Sequence, residues 1–121
     1  MRIALFGDIH ANLEALDAVL ADAAQQGCTD HVCMGDIVGY NADPSACLER
    51  VRENNWPVVK GNHDEDASGN HSLDSMNPVA ASALQWTREQ LTDEQRDWLR
   101  KIRMVRQVEN FTGVHSTLDQ P

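Results

Sequence analysis

The sequence begins MRIALFGDIHAN (residues 1–12), in which mostly apolar residues lead directly into Gly7, Asp8, Ile9 and His10. A short apolar run of this kind is typical of a buried strand. Asp8 and His10 are two positions apart, so their side chains point to the same side of an extended chain. An aspartate directly after a buried strand needs water or a neutralising charge. The pair could therefore bind one cation.

Length and composition limit what the protein can be. A chain of 121 residues has the length of one domain or part of one. Its hydrophobic content of 41% and charged content of 24% are ordinary for a soluble globular protein. No apolar run approaches the roughly 18 residues that span a bilayer, and the N-terminal run is too short for a signal peptide. These features predict a cytoplasmic protein without a membrane partner.

The charge balance argues against long nucleic acid as a partner. The net charge is −9, and lysine and arginine cluster only within residues 96–106. There they alternate with apolar residues, which indicates a solvated helix face rather than a surface that follows a phosphate backbone. Acidic sites that hold divalent cations remain compatible with this charge, because the metal reverses the local sign.

The first half of the chain alternates strands and helices. Strands are predicted at residues 2–7, 31–34 and 57–60, with a helix over residues 12–26 and another that opens at Asp43-Pro44. Three repeats of strand, polar loop and helix predict βαβ units and a parallel sheet. Ligands of such sheets gather at the carboxyl ends of the strands.

The second half predicts two more helices and a hairpin. Residues 64–76 are polar and indicate either an active-site flap or a disordered segment. A helix is predicted from Asn77-Pro78 to Leu91, and a capping box at Thr92 and Gln95 starts another. Residues 104–108 and 111–114 predict a β-hairpin.

Polar side chains follow four of the predicted strands. Taken singly, such residues are common in turns and helix caps. Their position at one sheet edge favours a metal site, and their oxygen and imidazole donors suit Mn, Fe, Zn, Co or Ni, whereas Mg or Ca prefers oxygen alone. One carboxylate could bridge two ions about 3.5–4 Å apart, a spacing that supports in-line displacement. These residues are Asp8, His10, Asp36, Asn62, His63 and His115.

Four short segments resemble successive motifs of the calcineurin-like metallophosphoesterase superfamily, in the same order and at similar spacing. They are GDIHAN (7–12), GDIVGYNADP (35–44), GNHDE (61–65) and VHS (114–116). The resemblance implies an α/β fold in which helices flank a β-sandwich, an αββα arrangement. It also implies that residues 1–121 are the N-terminal part of a single metallophosphoesterase domain.

The resemblance also implies roles for the metal ligands. Asp8 and His10 would bind the first metal, Asp36 would bridge both metals, and Asn62 and His115 would bind the second. Manganese is the expected metal, with Fe, Zn, Ni or Co as alternatives.

Four further residues are expected beside the metals. His63 and Asp64 resemble the family's pair of residues that contact the substrate without binding metal, so His63, oriented by Asp64, would act on the leaving group. Tyr40 and Asn41 directly follow the proposed bridging aspartate and are candidates for lining the substrate pocket. Their alternative role is to shape the turn before Pro44.

The resemblance implies a hydrolase with two divalent metal ions. A metal-bound hydroxide would attack phosphorus in line and cleave a phosphomonoester or phosphodiester bond. The substrate would be a small phosphoester, and three classes stay open: phosphodiesters, phosphomonoesters including phosphoproteins, and dinucleoside polyphosphates.

One family motif is absent. The final Gly-His-x-His motif, which would give one histidine to each metal, does not occur in these residues. We therefore expect residues 1–121 alone to have negligible activity and to expose apolar surface that a second copy could cover in a homo-oligomer. The alternative function is a non-catalytic binding or scaffold subunit with the same fold.

Overall fold

In the computed structural model, which describes residues 1–121, the chain forms five helices and two small sheets. This architecture confirms the predicted α/β class. The elements in chain order are β1 (Ile3–Phe6), α1 (Leu13–Gln25), β2 (Asp30–Cys33), α2 (Pro44–Glu53), α3 (Asn62–Ser68), α4 (Pro78–Gln90), α5 (Asp93–Lys101), β3 (Val105–Val108) and β4 (Phe111–Val114).

The first sheet is parallel, as predicted. β1 pairs with β2 in a register that places Ile3 opposite Asp30 and Phe6 opposite Cys33, and α1 forms the crossover between them. Because both strands run in the same direction, their carboxyl ends, which carry the two Gly-Asp turns, lie at one edge of the sheet.

The third predicted strand, residues 57–60, is only partly formed. It joins β2 through a single parallel bridge between Cys33 and Val58. Pro57 has no N–H to donate. β2 already ends at Cys33, so no further residue of that strand lies beside the end of the segment. The N–H of Lys60 points to the opposite side and donates to the carbonyl oxygen of Arg103 at 2.9 Å. Residues 57–60 are therefore a short extended segment that leads into Gly61.

The ends of α1 and α2 have different supports. The side chain of Asn12 accepts the N–H of Ala15 at 3.0 Å, which confirms the predicted cap of α1. Asp43 precedes α2, as predicted, but its side chain makes no capping hydrogen bond. Pro44 at the first helical position starts α2 instead, because its backbone angle is already helical.

The segment predicted as a flap or disordered region begins with a helix. α3 occupies residues 62–68, and residues 69–77 have no regular helix or strand. The composition of α3 is polar, so the helix could not be recognised from an apolar stripe. Tertiary contacts stabilise it, as described below.

The remaining elements agree with their predictions. α4 spans Pro78–Gln90, and α5 begins with the predicted capping box, in which Thr92 and Gln95 exchange hydrogen bonds of 3.0 and 3.1 Å. β3 and β4 form an antiparallel hairpin.

The core lies between the helices and one face of the first sheet. Its fully buried large side chains include Leu16, Leu48, Val51, Leu84 and Leu99. Other apolar side chains are exposed, as the sequence predicted, and Leu5 of β1 is 58% accessible. None of the five helices has the length and apolar character needed to cross a bilayer.

Candidate metal centre

Two Gly-Asp turns form the centre of the site. Asp8, His10 and Asp36 have positive φ angles of 51°, 46° and 58°. This left-handed region costs non-glycine residues about 1–3 kcal/mol each, so surrounding contacts must stabilise it. The first turn follows β1, and the second follows β2.

The first turn is hydrogen-bonded to the second. The N–H groups of Asp8, His10 and Ala11 donate to the carbonyl oxygens of Gly35, Asp36 and Ile37 at 2.9, 2.9 and 2.8 Å. These bonds continue the pairing of β1 and β2 beyond the strands. The position of Asp8 and His10 therefore depends on the second turn.

The second turn is held by the buried carboxylate of Asp64 in α3. Asp64 accepts the N–H groups of Asp36, Ile37, Val38 and Gly61 at 2.8, 2.9, 3.3 and 2.9 Å. Burial raises the pKa of Asp64 to about 6. The hydrogen bond from Gly61 favours the charged carboxylate and partly opposes this rise. This side chain connects α3 to both turns, because the first turn is bonded to the second.

The expected contact between Asp64 and the imidazole of His63 is not formed. The oxygens of Asp64 point to backbone N–H groups because an uncompensated buried carboxylate would be costly. The side-chain partner of His63 is Asp36, with Nδ1 3.1 Å from Oδ2. The backbone N–H of His63 also donates to Oδ1 of Asp36 at 3.0 Å.

One carboxylate oxygen lies close to three imidazoles. Oδ2 of Asp36 is 3.1 Å from Nδ1 of His63, 3.3 Å from Nε2 of His115 and 3.5 Å from Nε2 of His10. Nε2 of His115 is also 3.9 Å from Oδ1 of Asp8. The structure thus brings together five of the seven residues predicted to bind metal or act in catalysis.

These residues form two groups that could each hold a metal ion. His10, Asp36 and His63 make one group, and Asp8, Asp36 and His115 make the other, with the ligand atoms of each within 4.8 Å of one another. Asp36 belongs to both groups, as a bridging ligand must. The sequence paired Asp8 with His10, whereas these groups separate them, because Asp8 is exposed on the side of His115.

The orientation of two imidazoles fits a metal. Nδ1 of His10 is 3.1 Å from the carbonyl oxygen of Val38, and Nδ1 of His115 is 2.8 Å from that of Met34. A carbonyl oxygen can only accept, so each Nδ1 carries the hydrogen. In the neutral rings, each Nε2 then directs a lone pair towards the carboxylate of Asp36. Two facing acceptors need a cation between them, and backbone-bonded imidazoles are characteristic metal ligands.

The charges of Asp36 and His63 stabilise each other. Burial raises the pKa of Asp36, but the hydrogen bonds that it accepts from His63 outweigh this effect and hold the pKa below its ordinary value. The hydrogen bond to Asp36 raises the pKa of His63 above its ordinary value, against the effect of burial. Asp36 is therefore ionised and available as a ligand at neutral pH.

Two glycines allow the backbone to approach Asp36 closely. Gly35 has a φ of +98°, and a Cβ there would lie 2.7 Å from the nitrogen of Gly61 and 2.9 Å from Nδ1 of His115. A Cβ on Gly61 would lie 2.0 Å from Oδ1 of Asp36. A side chain at either position would displace the central carboxylate or its neighbours.

The other predicted site residues lie at the rim. Asn62 is the exposed first residue of α3, next to His63. The ring of Tyr40 packs at 4.8 Å from that of His10 and 4.6 Å from that of His63, measured between centroids. The side chain of Asn41 donates to the carbonyl oxygen of His10 at 2.8 Å, so it supports the first turn.

Three arginines that sequence reasoning missed hold the C-terminal end of α3. Arg88 donates to the carbonyl oxygen of Asp66, Arg96 to those of Ala67 and Gly69, and Arg100 to that of Ser68, at 2.6–3.1 Å. These carbonyls have no partner within the helix. Residues 96–106 were predicted to be a solvated face, but Arg96 and Arg100 contact α3. No local pattern distinguishes such arginines from solvated ones.

The family model of the calcineurin-like phosphoesterases matches residues 1–116. The chain belongs to this family. The uncharacterized protein MJ0912 of Methanocaldococcus jannaschii is 42% identical to it over 111 residues, which are 92% of this chain and 45% of that protein. This calcineurin-like phosphoesterase chain thus spans less than half the length of that curated relative.

Solved structures share the fold. The calcineurin-like phosphoesterase chain resembles a metallophosphoesterase from Sphaerobacter thermophilus with a TM-score of 0.77 and 42% identity, over 93% of this chain and 45% of that one. It also resembles the hypothetical protein PH1004 of Pyrococcus horikoshii OT3, with a TM-score of 0.75 and 23% identity, over 85% and 48% of the two chains. A putative diadenosine tetraphosphatase matches with a TM-score of 0.64 and 21% identity, over 86% and 44%.

Proposed function

We propose that this chain supplies most of the metal ligands of a phosphoesterase that uses two divalent cations to hydrolyse phosphomonoester or phosphodiester bonds. The observation that carries the proposal is the position of Asp36, whose Oδ2 lies within 3.5 Å of nitrogens of three imidazoles. Family membership supports the phosphoesterase activity, and the geometry around Asp36 supports two ions.

The donor set favours a first-row transition metal. Imidazole nitrogens from His10 and His115 combine with carboxylate oxygens from Asp8 and Asp36, which suits Mn, Fe, Zn, Co or Ni. We propose manganese first, and Asn62 as a further oxygen donor at the rim. When bound, such ions polarise the phosphoryl oxygens and lower the pKa of water towards neutrality.

Two aspartates are proposed to position the metal ligands. Asp36 holds the two groups of ligands at a fixed separation, and Asp64 fixes Asp36 through the backbone of the second turn. Since Asp64 contacts backbone rather than the imidazole of His63, we propose that it acts as a positioning residue.

His63 is proposed to donate a proton to the leaving oxygen. Its Nδ1 bonds to Asp36 at 3.1 Å, which fixes the ring and leaves Nε2 free to face the substrate. The rings of Tyr40 and His10 pack against it and limit its rotation. A general acid must be held within hydrogen-bond reach of the atom that it protonates.

A small cavity beside the ligands could take the organic part of the substrate. It has a volume of about 250 Å³ and lies between Asp8, His10 and the apolar side chains of Phe6, Val19 and Tyr40. An apolar wall next to charged ligands suits an ester whose phosphoryl group faces the metals. We propose a small phosphoester as the substrate and, given the net charge of −9, no long nucleic acid as a partner.

The first experiment compares this chain with a form extended to the length of its relatives. Each is loaded with Mn, Fe, Zn, Co or Ni in turn and assayed against a phosphomonoester, a phosphodiester, a phosphopeptide and a dinucleoside polyphosphate. The last is included because one structural neighbour is described as a putative diadenosine tetraphosphatase. We expect metal-dependent turnover by the extended form and negligible turnover by residues 1–121.

Each outcome of this experiment bears on the proposal. An extended form that binds metal but cleaves none of these esters would assign the protein to the non-catalytic binding class. Full activity of residues 1–121 would contradict the expectation that this part is incomplete.

The second experiment separates His63 from the metal ligands. His63→Ala should retain both ions and slow alkyl phosphoesters far more than nitrophenyl phosphoesters, since nitrophenolate leaves with little protonation. Equal losses on both esters would disprove proton donation. Loss of one ion would show that His63 is a ligand in the group with His10 and Asp36.

A further inference from the structure

A second concave region lies away from the metal centre. It is formed by the C-terminal ends of α2 and α5 and by the residues that lead into β3, and its volume is about 790 Å³. Val58 contributes to it near the start of the extended segment 57–60, whereas the metal centre follows the other end of that segment. Cavities of roughly 300–1,000 Å³ typically hold small ligands.

All charged side chains that line this cavity are cationic. They are Arg52, Lys101, Arg103 and Arg106. In a chain with a net charge of −9, four of the ten basic residues therefore surround one concavity. No aspartate or glutamate is among the lining residues.

Two of these cations are free to bind a ligand. Arg52 is paired with Glu49 and Glu94, and Lys101 is paired with Asp97. Arg103 and Arg106 form no salt bridge, and both are exposed. Guanidinium groups bind phosphate oxygens through paired hydrogen bonds, which makes unpaired arginines beside a cavity suited to phosphate.

The walls of the same cavity contain two tryptophans. Trp56 is stacked on His31, with an interplanar angle of 20° and a centroid distance of 4.8 Å, which fixes the indole. Trp98 is partly buried and stacks on no other aromatic ring of the chain. Indole rings provide a flat surface for planar heterocycles, and stacking of a base contributes about 1–3 kcal/mol.

We propose that this cavity binds a mononucleotide, with the base against Trp98 and the phosphates on Arg103 and Arg106. A phosphate alone would use the arginines but not the indoles, and an apolar ligand would use the indoles but not the arginines. A nucleotide uses both. This site is independent of the proposed phosphoesterase activity, because none of its lining residues belongs to the metal centre.

The test uses the indole N–H signals of the ¹⁵N-labelled protein in EDTA, so that no metal-dependent binding contributes. The chain has three tryptophans, and Trp86 lies outside this cavity and serves as an internal control. On titration with ADP, we expect saturable shifts of the signals of Trp56 and Trp98 and none of the signal of Trp86. Equal shifts of all three signals, or no saturation, would overturn the proposal.

Matched variants test the binding of the phosphates and the stacking of the base separately. Replacing Arg103 and Arg106 together by Gln should weaken ADP binding at least tenfold. Replacing Arg2 and Arg50 by Gln removes the same charge outside the cavity and should leave the affinity within a factor of two. Trp98→Phe keeps an aromatic packing residue, so the fold is retained, and it should weaken binding severalfold. Equal affinities for both double variants would overturn the proposal.

Three competing ligands complete the test. Inorganic phosphate that binds as tightly as ADP would show an anion site without base recognition, and adenosine that binds as tightly would remove the role of the arginines. A hexaglutamate peptide that binds more tightly than ADP would assign the cavity to an acidic chain. Each of these results contradicts the proposal, whereas a clear preference for ADP over all three supports it.

Discussion

The two Gly-Asp turns have similar sequences but very different surroundings. Both follow a strand of the parallel sheet, and both aspartates have positive φ angles, 51° for Asp8 and 58° for Asp36. The side chain of Asp8 is 70% exposed, whereas that of Asp36 is 4% exposed. The carboxylate of Asp36 lies close to three imidazoles, whereas the carboxylate of Asp8 lies close to only one, the imidazole of His115.

This difference shows that the Gly-Asp motif determines the local backbone conformation but not the electrostatic environment of its aspartate. The second turn lies between the first turn and α3, so its carbonyl oxygens accept hydrogen bonds from the first turn and its N–H groups donate to Asp64. The first turn lies at the outer side of the sheet, where β1 has no further strand beside it. Burial and neighbouring imidazoles, rather than the Gly-Asp pair, distinguish the surroundings of Asp36 from those of Asp8.

Substitution of Asp36 should weaken metal binding more than any other change at the two turns. Asp36→Asn should weaken Mn²⁺ binding by about a hundredfold or more, because removal of even a supporting group around a metal costs about 10–100-fold and Asp36 touches both groups. Asp8→Asn is the matched control and should cost about tenfold, since Asp8 belongs to one group. Isothermal titration with Mn²⁺ measures both. Equal losses would show that the two turns are equivalent.

Substitutions of the glycines before the two aspartates test how tightly each turn is packed. Gly35→Ala should lower the free energy of unfolding by about 3 kcal/mol, because left-handed backbone costs alanine about 1–2 kcal/mol and overpacking adds about 1–3 kcal/mol. Gly7→Ala should cost about 1 kcal/mol by overpacking alone, as its Cβ would lie 3.1 Å from Cβ of Met34. Urea denaturation gives both values. A larger loss for Gly7→Ala would contradict the assignment of the tighter packing to the second turn.

The hydrogen bonds of Asp64 can be removed without changing its size. Asp64→Asn places an amide N–H₂ against backbone N–H groups, so at least one buried donor loses its partner, at a cost of about 1–3 kcal/mol. Because the first turn depends on the second, Mn²⁺ binding should weaken as well. Asp66→Asn, on the same helix and outside this network, is the control and should change metal binding little. Unchanged unfolding and metal binding in Asp64→Asn would refute the positioning role.

The smallest expected effect concerns the side chain that supports the first turn. Asn41→Ala removes the hydrogen bond to the carbonyl oxygen of His10 and should cost about 0.5–1.5 kcal/mol. Asn54→Ala removes a similar bond, to the carbonyl oxygen of Arg50, away from the site. Thermal unfolding should show similar losses in both variants. Only Asn41→Ala should shift the NMR signals of the His10 imidazole, and a shift in Asn54→Ala would contradict this local role.

Elements with strong local signals were predicted from the sequence. Asn12 caps α1, Thr92 and Gln95 cap α5, and β3 and β4 form the expected hairpin. Capping and hairpin turns involve residues a few positions apart, so the sequence alone contains the interacting partners. The α/β class follows from the same local patterns together with the alternation of strands and helices.

Elements that depend on distant partners were predicted less well. The sequence of α3 is polar, and its C-terminal end is held by Arg88, Arg96 and Arg100 from α4 and α5. Residues 57–60 form a single bridge rather than a full strand, because β2 ends at Cys33, the residue that pairs with Val58. In both cases the deciding partner is more than twenty residues away.

The positions of Asp8, Asp36 and His63 at the carboxyl edge of the sheet could be predicted from the sequence, because they follow from strand direction and chain order. The sequence did not determine their surroundings. Long-range packing buries Asp36 among three imidazoles, places the carboxylate of Asp64 against backbone N–H groups, and brings Arg103, Arg106 and Trp98 into the lining of one cavity. Burial and electrostatic interactions depend on atoms close in space, and folding brings those atoms together from distant parts of the chain.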